Sequence, residues 1–364
     1  MKVTLDVKEL AKAVRLLRKV APTRSPKRVL ECCLVETDGE SGVSLCATDL
    51  EMRGRIGIYA KVAEPGRALL DLAKAAVILR TASGSVELDA GADNQTRLAG
   101  IEIGEADNPE DFPAIDFPVD RELSSAFQLP LLLWRTEFAC SKENSRYALN
   151  GVNLEGADCK LTAVATQGHM MAIAAAAWDG PDFGALVPGT FCQVVAGLGG
   201  EPRMSMSDEH SSLTLDWGWV QLGVRLVDRG FPKWRDAIPK KLGLEFEADS
   251  ANLSVAIKAM VSLCDDQLKK AVVLYVDKDS VTVKPLGPKA EGGGVVVKAK
   301  AAGKAVQAFD GEYLLKILAV VGGPVRVSLG ENSNKPAKIE YAPGKGFDMG
   351  GPDWKCIIMP VSMV

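Results

Sequence analysis

Apolar residues fall into three cycles along the chain. Each cycle holds two helix-like segments, with short alternating or wholly apolar runs between and after them. The first segments begin near Asp6 (DVKELAKAVRLLRK), Gln128 (QLPLLLWRTEFACSK) and Asp249 (DSANLSVAIKAMVSLC), a spacing of about 122 residues. A second set follows about 60 residues later in each cycle, near Asp71 (DLAKAAVILR), Gly189 (GTFCQVVAGL) and Asp310 (DGEYLLKILAVV). In the first segment Leu10, Val14 and Leu17 recur at helical spacing and predict a buried face. Lys8, Lys12, Arg15 and Lys19 share another stripe. Pro130 suits the first turn of its helix. Strands are predicted at 29–35 and 43–46, parted by the turn TDGESG, and at 85–88 and 97–103. The second cycle repeats them in LNGVNLEG, KLTAVAT, 212–215 and 219–226, and the third in VVLYV, VTVKP, VVVKAKA, VRVSL, KIEYA and CIIMPVSMV. Two proline-bearing stretches, ADNPEDFPAIDFPVDRE and FPKWRDAIPKK, read as linkers. The expected organisation is three similar domains, 1–122, 123–243 and 244–364. Each runs helix, strands, helix, strands, an α+β fold dominated by sheet.

Composition narrows the function. The chain has 364 residues, 47% hydrophobic and 25% charged, ordinary for a globular protein with more than one core. The longest apolar run, 170–178, is nine residues and too short to span a bilayer. The charged opening MKVTLDVKEL has no apolar h-region, so a cytoplasmic location without membrane attachment is expected. Eight cysteines form no C-x-x-C pair and sit mostly in apolar runs, as reduced buried thiols do. With His169 and His210 as the only histidines, a Cys/His metal site is excluded, and no cofactor is indicated. EGGG at 291–294 lacks the Lys-Ser/Thr of a phosphate loop and reads as a hairpin loop. Asp49, Glu51, His169 and Asp236 could supply acid–base groups, but nothing spaces them as a catalytic set, and no hydrolase, zincin or Walker string occurs. Net charge is −4, yet the six helix-like segments together carry +4 and the remainder −8, with most of the positive charge in the first segment. By itself such a stripe is an ordinary solvated face.

Six strings in one order give that stripe a meaning: ATDLEM (47–52), RYALNGVNLE (146–155), VATQGHMMAIA (164–174), LVDRGFPKWRDAIPK (226–240), EYLLKIL (312–318) and IIMP (357–360). With the repeat and the length, they make the whole chain resemble the bacterial sliding clamp, the beta subunit of the replicative DNA polymerase. The resemblance implies three similar domains per chain and a homodimer closed head to tail into a ring of pseudo-sixfold symmetry. Sheets would form its wall, and helices would line a hole that encircles duplex DNA. It implies no catalysis. Such a ring tethers the polymerase and confers processivity, and its phosphate contacts are sequence-independent. The implied DNA-facing residues are Lys8, Lys12, Arg15, Lys19 and Arg80 on the helices and Arg24 and Lys27 in PTRSPKR.

The resemblance further implies a groove for short linear peptides of polymerase, clamp loader and repair proteins. Its positions here are Leu149, Thr166, Gly168, His169, Met170, Met171, Pro232, Ala237, Ile357, Ile358, Met359, Pro360 and Val361. Aliphatic and thioether side chains suit an apolar anchor, and His169 offers a polar handle. This sequence departs from the family in the groove. Asp-Gly-His-Arg-Leu is replaced by Gln167-Gly168-His169-Met170-Met171, Asp236 stands for an arginine beside Arg235, and Lys233 stands for an aspartate. The chain ends Met359-Pro360-Val361-Ser362-Met363-Val364, one residue longer than the family's ending, and Leu268 or Lys269 occupies a usually aromatic position. A more apolar, less cationic groove is therefore expected. Ring closure would use Ile101 and Ile103 on one chain and Leu263 and Cys264 on the other, pairing edge strands. The altered groove also leaves open a divergent paralogue serving a specialised polymerase or a regulatory role, and an enzyme with an unrecognised site remains the rival from another class.

Overall fold

The computed structural model describes residues 1–39, 41–91, 94–104, 107–126, 128–143, 149–207, 211–264, 270–287, 293–342 and 353–363. His210, Leu268, Lys269 and part of the EGGG loop lie outside the described residues. One order of elements occurs three times: a strand, a helix, four strands, a second helix and three strands. The first repeat comprises β1 (Lys2–Asp6), α1 (Val7–Leu17), β2 (Cys32–Asp38), β3 (Gly42–Thr48), β4 (Met52–Glu64), β5 (Arg67–Asp71), α2 (Leu72–Ile78), β6 (Ser85–Ala90), β7 (Thr96–Leu98) and β8 (Ile101–Glu102). The second comprises β9 (Arg121–Ser125), α3 (Leu129–Trp134), β10 (Gly151–Ala157), β11 (Lys160–Thr166), β12 (Met170–Ala177), β13 (Phe183–Pro188), α4 (Gly189–Ala196), β14 (Arg203–Met206), β15 (Ser212–Asp216) and β16 (Val220–Arg225). The third comprises β17 (Leu242–Asp249), α5 (Ser250–Val261), β18 (Ala271–Asp277), β19 (Ser280–Pro285), β20 (Val295–Ala301), β21 (Ala305–Asp310), α6 (Gly311–Val321), β22 (Pro324–Gly330), β23 (Ala337–Tyr341) and β24 (Asp353–Ile358).

The expected α+β class and the helix positions hold, while several details are corrected. A strand opens each repeat before its first helix, and four strands lie between the helices, where two are expected in the first two cycles and three in the third. The run read as one strand at 97–103 is a hairpin of β7 and β8. Ala99 and Gly100 take positive φ (56° and 76°) at its turn, as a tight hairpin demands. Residues 29–31 belong to a 3-10 turn, and the strand begins at Cys32. The helix expected over QLPLLLWRTEFACSK stops at Trp134. Thr136 donates its hydroxyl back to the Leu132 carbonyl (2.8 Å), and a short 3-10 turn at Glu137–Ala139 follows. Four helices start on an aspartate whose carboxylate accepts backbone N–H groups of the first turn: Asp6, Asp71, Asp249 and Asp310. Such caps satisfy orphan donors and are each worth about 1 kcal/mol.

Contacts divide the chain into two units. The first is Met1–Pro130 with Thr190–Asp228, and the second is Leu131–Gly189 with Arg229–Val364. The first unit holds a 12-stranded antiparallel sheet ordered β8-β7-β6-β1-β4-β16-β15-β14-β9, with β3, β2 and β5 branching from β4. The second holds another 12-stranded sheet ordered β13-β10-β11-β12-β24-β23-β22-β17-β20-β19-β18-β21. The strands of the second repeat are thus shared between the two sheets. In the first unit α1 buries Leu10, Ala13, Val14 and Leu17, and Leu17 and Val20 reach Gly54 of β4, where a side chain would crowd them. In the second unit α5 and α6 pack on each other. Gly311 opens α6 directly against Val261 and the Lys270 carbonyl.

Consecutive repeats are joined by one recurring pairing. The third of the four inter-helix strands takes the last strand of the following repeat: β4 pairs β16 (Ile56 opposite Val220), and β12 pairs β24 (Met171 opposite Ile357). The same strand of the third repeat, β20, pairs β19 over residues 295–298 and β17 only over residues 299–301. The last strand of the first repeat, β8, pairs β7. Among the described residues, β8 and the start of β20 therefore each keep one edge open.

Candidate functional site

A cavity of about 300 Å³ in the second unit gathers residues from three distant stretches of chain. The turn between β11 and β12 forms one wall. Thr166 Oγ1 accepts the Gly168 N–H (3.1 Å) and donates to the Met170 carbonyl (2.8 Å), while Gln167 Oε1 accepts the His169 N–H (3.1 Å). Gly168 sits at φ +97° within this turn, a conformation that favours glycine. The C-terminal segment is tied to the same turn, since Met359 N–H donates to the His169 carbonyl at 2.8 Å. Beneath lies a buried cluster of Val164, Met171, Ile173, Trp234 and Ile357, backed by Phe231 and Ile238.

Trp234 is fixed from behind. Its indole Nε1 donates to Glu155 Oε1 (3.1 Å), Arg235 donates to Glu155 Oε2 (2.7 Å), and the guanidinium lies 4.2 Å from the indole centroid. Asn153 donates to Glu155 Oε1 as well (2.8 Å). Burial pushes the Glu155 carboxyl up, but the bonds from Arg235, Trp234 and Asn153 outweigh it and hold the group below its usual range.

Ten of the thirteen expected groove residues line this cavity: Leu149, Thr166, Gly168, His169, Met170, Met171, Pro232, Ala237, Ile357 and Met359. Ile358 does not. Strand alternation turns it into the core, fully buried, while Ile357 faces the cavity floor. Pro360 and Val361 are half-buried outside the lining, and Val361 N–H is tied to the Ala308 carbonyl of β21 at 2.9 Å. Lys233, one of the departures read in the groove, and Trp234, which the expected set lacks, complete the wall. The sequence signal for Trp234 is an aromatic residue between Pro232 and Ala237, both of them expected in the groove. Lys233 also amends the expectation of a less cationic groove, because it brings a cationic side chain to the lining while Arg235 is engaged with Glu155. At the rim, the His169 and Tyr313 rings stack with centroids 6.4 Å apart. The wall is apolar with a few directed polar groups, suited to a short peptide with an apolar anchor.

The cationic residues lie on the first unit. Lys8, Lys12 and Arg15 are exposed on α1, and Lys12 is bonded to Glu9 at 2.8 Å. Lys19 lies in the turn after α1. Arg24 and Lys27 are exposed in the segment before the 3-10 turn, and Arg80 is exposed just after α2. Arg15 and Arg80 line one cleft together with Arg18, which the helical stripe had passed over. Of the expected interface residues, Ile101 is 54% exposed on β8 and Leu263 51% exposed after α5. Ile103 is corrected: it is 1% exposed, in the core, so its side chain is not available to a partner. Cys264 is half-buried, with its thiol donating to the Ala271 carbonyl at 3.2 Å.

This threefold recurrence of two helices and eight antiparallel strands defines a DNA-clamp fold. The sequence profile for the central domain of the DNA polymerase III beta subunit matches residues 127–233. The chain is 26% identical to the beta sliding clamp of Caulobacter vibrioides, covering 89% of this chain and 91% of that protein. It is likewise 26% identical to the beta sliding clamp of Pseudomonas putida, covering all of both. Among solved structures, the Pseudomonas aeruginosa DNA polymerase III subunit beta bound to griselimycin superposes with a TM-score of 0.83 at 23% identity, covering 100% of this chain and 99% of that one. The Thermotoga maritima beta subunit gives 0.83 at 20% identity, with both chains fully covered. The chain is thus similar over nearly its whole length to bacterial DNA polymerase III beta subunits, the beta sliding clamps.

Proposed function

We propose that this chain is a DNA sliding clamp. Its three repeats act as three clamp domains, and two copies close head to tail into a ring around duplex DNA. The observation that carries the reading is the strand left over at each end of the repeat series. Pairing of β4 with β16 and of β12 with β24 joins each repeat to the next, and the same rule applied once more pairs β20 of one copy with β8 of a second. Ile101 on β8, Val296 on β20 (65% exposed) and Leu263 are the apolar contacts available for that junction. Edge-to-edge pairing would also satisfy backbone groups that are otherwise open.

The ring holds DNA by topology, so it needs no sequence reading and no catalysis. Lys8, Lys12, Arg15, Lys19, Arg24, Lys27 and Arg80 supply sequence-independent attraction to the phosphate backbone. The cavity between the β11–β12 turn, Trp234 and Met359 receives the short apolar peptide by which polymerase, clamp loader and repair proteins attach. The protein works in the cytoplasm, without a membrane, as a processivity subunit.

Light scattering tests the junction. The wild-type protein is expected as a dimer of 38.7 kDa chains, and Ile101→Asp combined with Val296→Asp as a folded monomer. A double variant that remains dimeric would remove β8 and β20 from the interface.

A further inference from the structure

A further cleft, of about 680 Å³, opens on the first unit. It lies on the face of the sheet turned away from α1. Gly54 of β4 meets Leu17 and Val20 on the helix side, and strand alternation sends Arg55, Gly57 and Tyr59 to the opposite face. Register arranges the lining in two rungs. In one, Asp38 of β2 stands opposite Gly42 of β3, and Gly42 stands opposite Tyr59 of β4. In the next, Glu36 stands opposite Ser44 and Ser44 opposite Gly57, whose N–H donates to the Trp219 carbonyl at 3.0 Å. Each rung therefore runs from a carboxylate, over small residues, to an aromatic side chain. A Cβ on Gly57 would enter open space, so the middle of the cleft is a floor of backbone.

The aromatic ends are held out to solvent, Tyr59 89% exposed and Trp219 56%. The hairpin that displays Trp219 is braced at its tip. Asp216 Oδ1 accepts the Gly218 N–H (2.6 Å), and the Trp217 indole donates to the Gly199 carbonyl (2.9 Å). This display is particular to the first unit. The bonds of Thr48 to the Met52 carbonyl and of Thr166 to the Met170 carbonyl align the first two repeats. On that alignment Ala177 and Asp353 stand where Tyr59 and Trp219 do, and Lys160 replaces Gly42. The carboxylate ends are short of cations. No cation pairs with Asp38 among the described residues. Arg67 is divided between Glu36 (3.4 Å) and Glu110 (2.8 Å). Arg55, the cation of the lining, is engaged at the far end, bonded to the Ile115 carbonyl (3.1 Å) and 5.2 Å from the Phe117 ring centroid.

Aromatic faces attract ammonium and guanidinium groups. Two strand spacings, about 10 Å, separate each ring from its carboxylate and leave room for one such group between them. The rungs themselves are about 7 Å apart, the distance from residue i to i+2 in an extended chain. We propose that this cleft binds an extended basic segment of a partner protein, one that carries lysine or arginine at alternate positions. The segment runs along β3, and each cationic side chain lies between one ring and one carboxylate. The same carboxylates repel a phosphate backbone, so the surface takes protein rather than nucleic acid. It shares no residue with the cavity of the second unit and does not depend on the ring.

Fluorescence anisotropy of the full chain with labelled synthetic peptides is the test. Ser-Arg-Ser-Arg-Ser should bind saturably, and Ser-Glu-Ser-Glu-Ser should not. Tyr59→Ala combined with Trp219→Ala should weaken binding about tenfold, the loss of two exposed cation–π contacts. Tyr59→Phe combined with Trp219→Phe keeps both ring faces and should stay within about threefold of wild type. Asp38→Asn combined with Glu36→Gln should weaken binding and flatten its dependence on salt. Both aromatic residues are exposed, so thermal melts of these variants should match wild type. Absence of saturable binding by wild type, equal affinity for the glutamate peptide, or undiminished affinity in the alanine pair would overturn the proposal. An equal loss in the phenylalanine pair would overturn it as well, because the ring faces would then play no part.

Discussion

Gly168 carries the turn that shapes one wall of the proposed peptide pocket, and its φ of +97° is a conformation that strains any side chain. Gly168→Ala is expected to weaken binding of the polymerase's clamp-binding peptide about fivefold, from roughly 1 kcal/mol of backbone strain, read by fluorescence anisotropy. Met171 lies on the floor against Val164, Trp234 and Ile357. Met171→Lys sets an ammonium among them and should abolish peptide capture in a pulldown, and unchanged capture would remove the pocket from the account. Glu155 gives a pH signature. Its folded carboxyl titrates below its ordinary value. It therefore contributes stability that is fully present above the unfolded value of about 4.3 and is lost as pH falls through the folded one. Thermal melts of wild type should drop more steeply in that acid window than those of Glu155→Gln, and parallel curves would contradict the assignment. At this scale most of the pocket was legible in VATQGHMMAIA and IIMP. Ile358 leaves the lining because strand alternation turns it inward, and Trp234 is hidden from the sequence because its proline-bearing stretch reads as a linker rather than a wall.

Helices were the most legible elements, because four of the six start on an aspartate cap and carry a spaced apolar face. Their lengths were less so. Nothing in QLPLLLWRTEFACSK announces that the Thr136 hydroxyl will return to the Leu132 carbonyl and close the helix early. Strand β4, MRGRIGIYAKVAE, escaped reading because arginines and glycines interrupt its apolar positions. It spans from β16 to β1 and so faces different neighbours along its length. The opening strands β1, β9 and β17 were too short or too charged to stand out. Packing between elements is tested at Gly311, where α6 meets the end of α5. Gly311→Ala forces its new methyl into Val261 and the Lys270 carbonyl, and should destabilise the protein by about 1–3 kcal/mol, as overpacking does. A denaturation midpoint at the wild-type value would show that α5 and α6 can part without loss.

On the scale of the whole molecule, the chain is acidic overall, yet its first repeat presents a cluster of cations. An acidic remainder discourages stray binding to nucleic acid, so duplex would be held by enclosure rather than by affinity. In the proposed ring enclosure would take two copies, because among the described residues the repeat series ends on two open strand edges, and one kind of junction formed twice would close it. The threefold repeat was visible in the sequence from its spacing, but the sharing of the second repeat's strands between two sheets was not. Register and strand partners depend on contacts between residues far apart in the chain. The most direct test of the account loads the purified dimer onto nicked circular DNA with its cognate loader, cuts half of the sample to linear form, and measures protein retained after gel filtration. Retention on circles with loss from linear ends is the predicted result, and equal retention or equal loss on the two forms would contradict it.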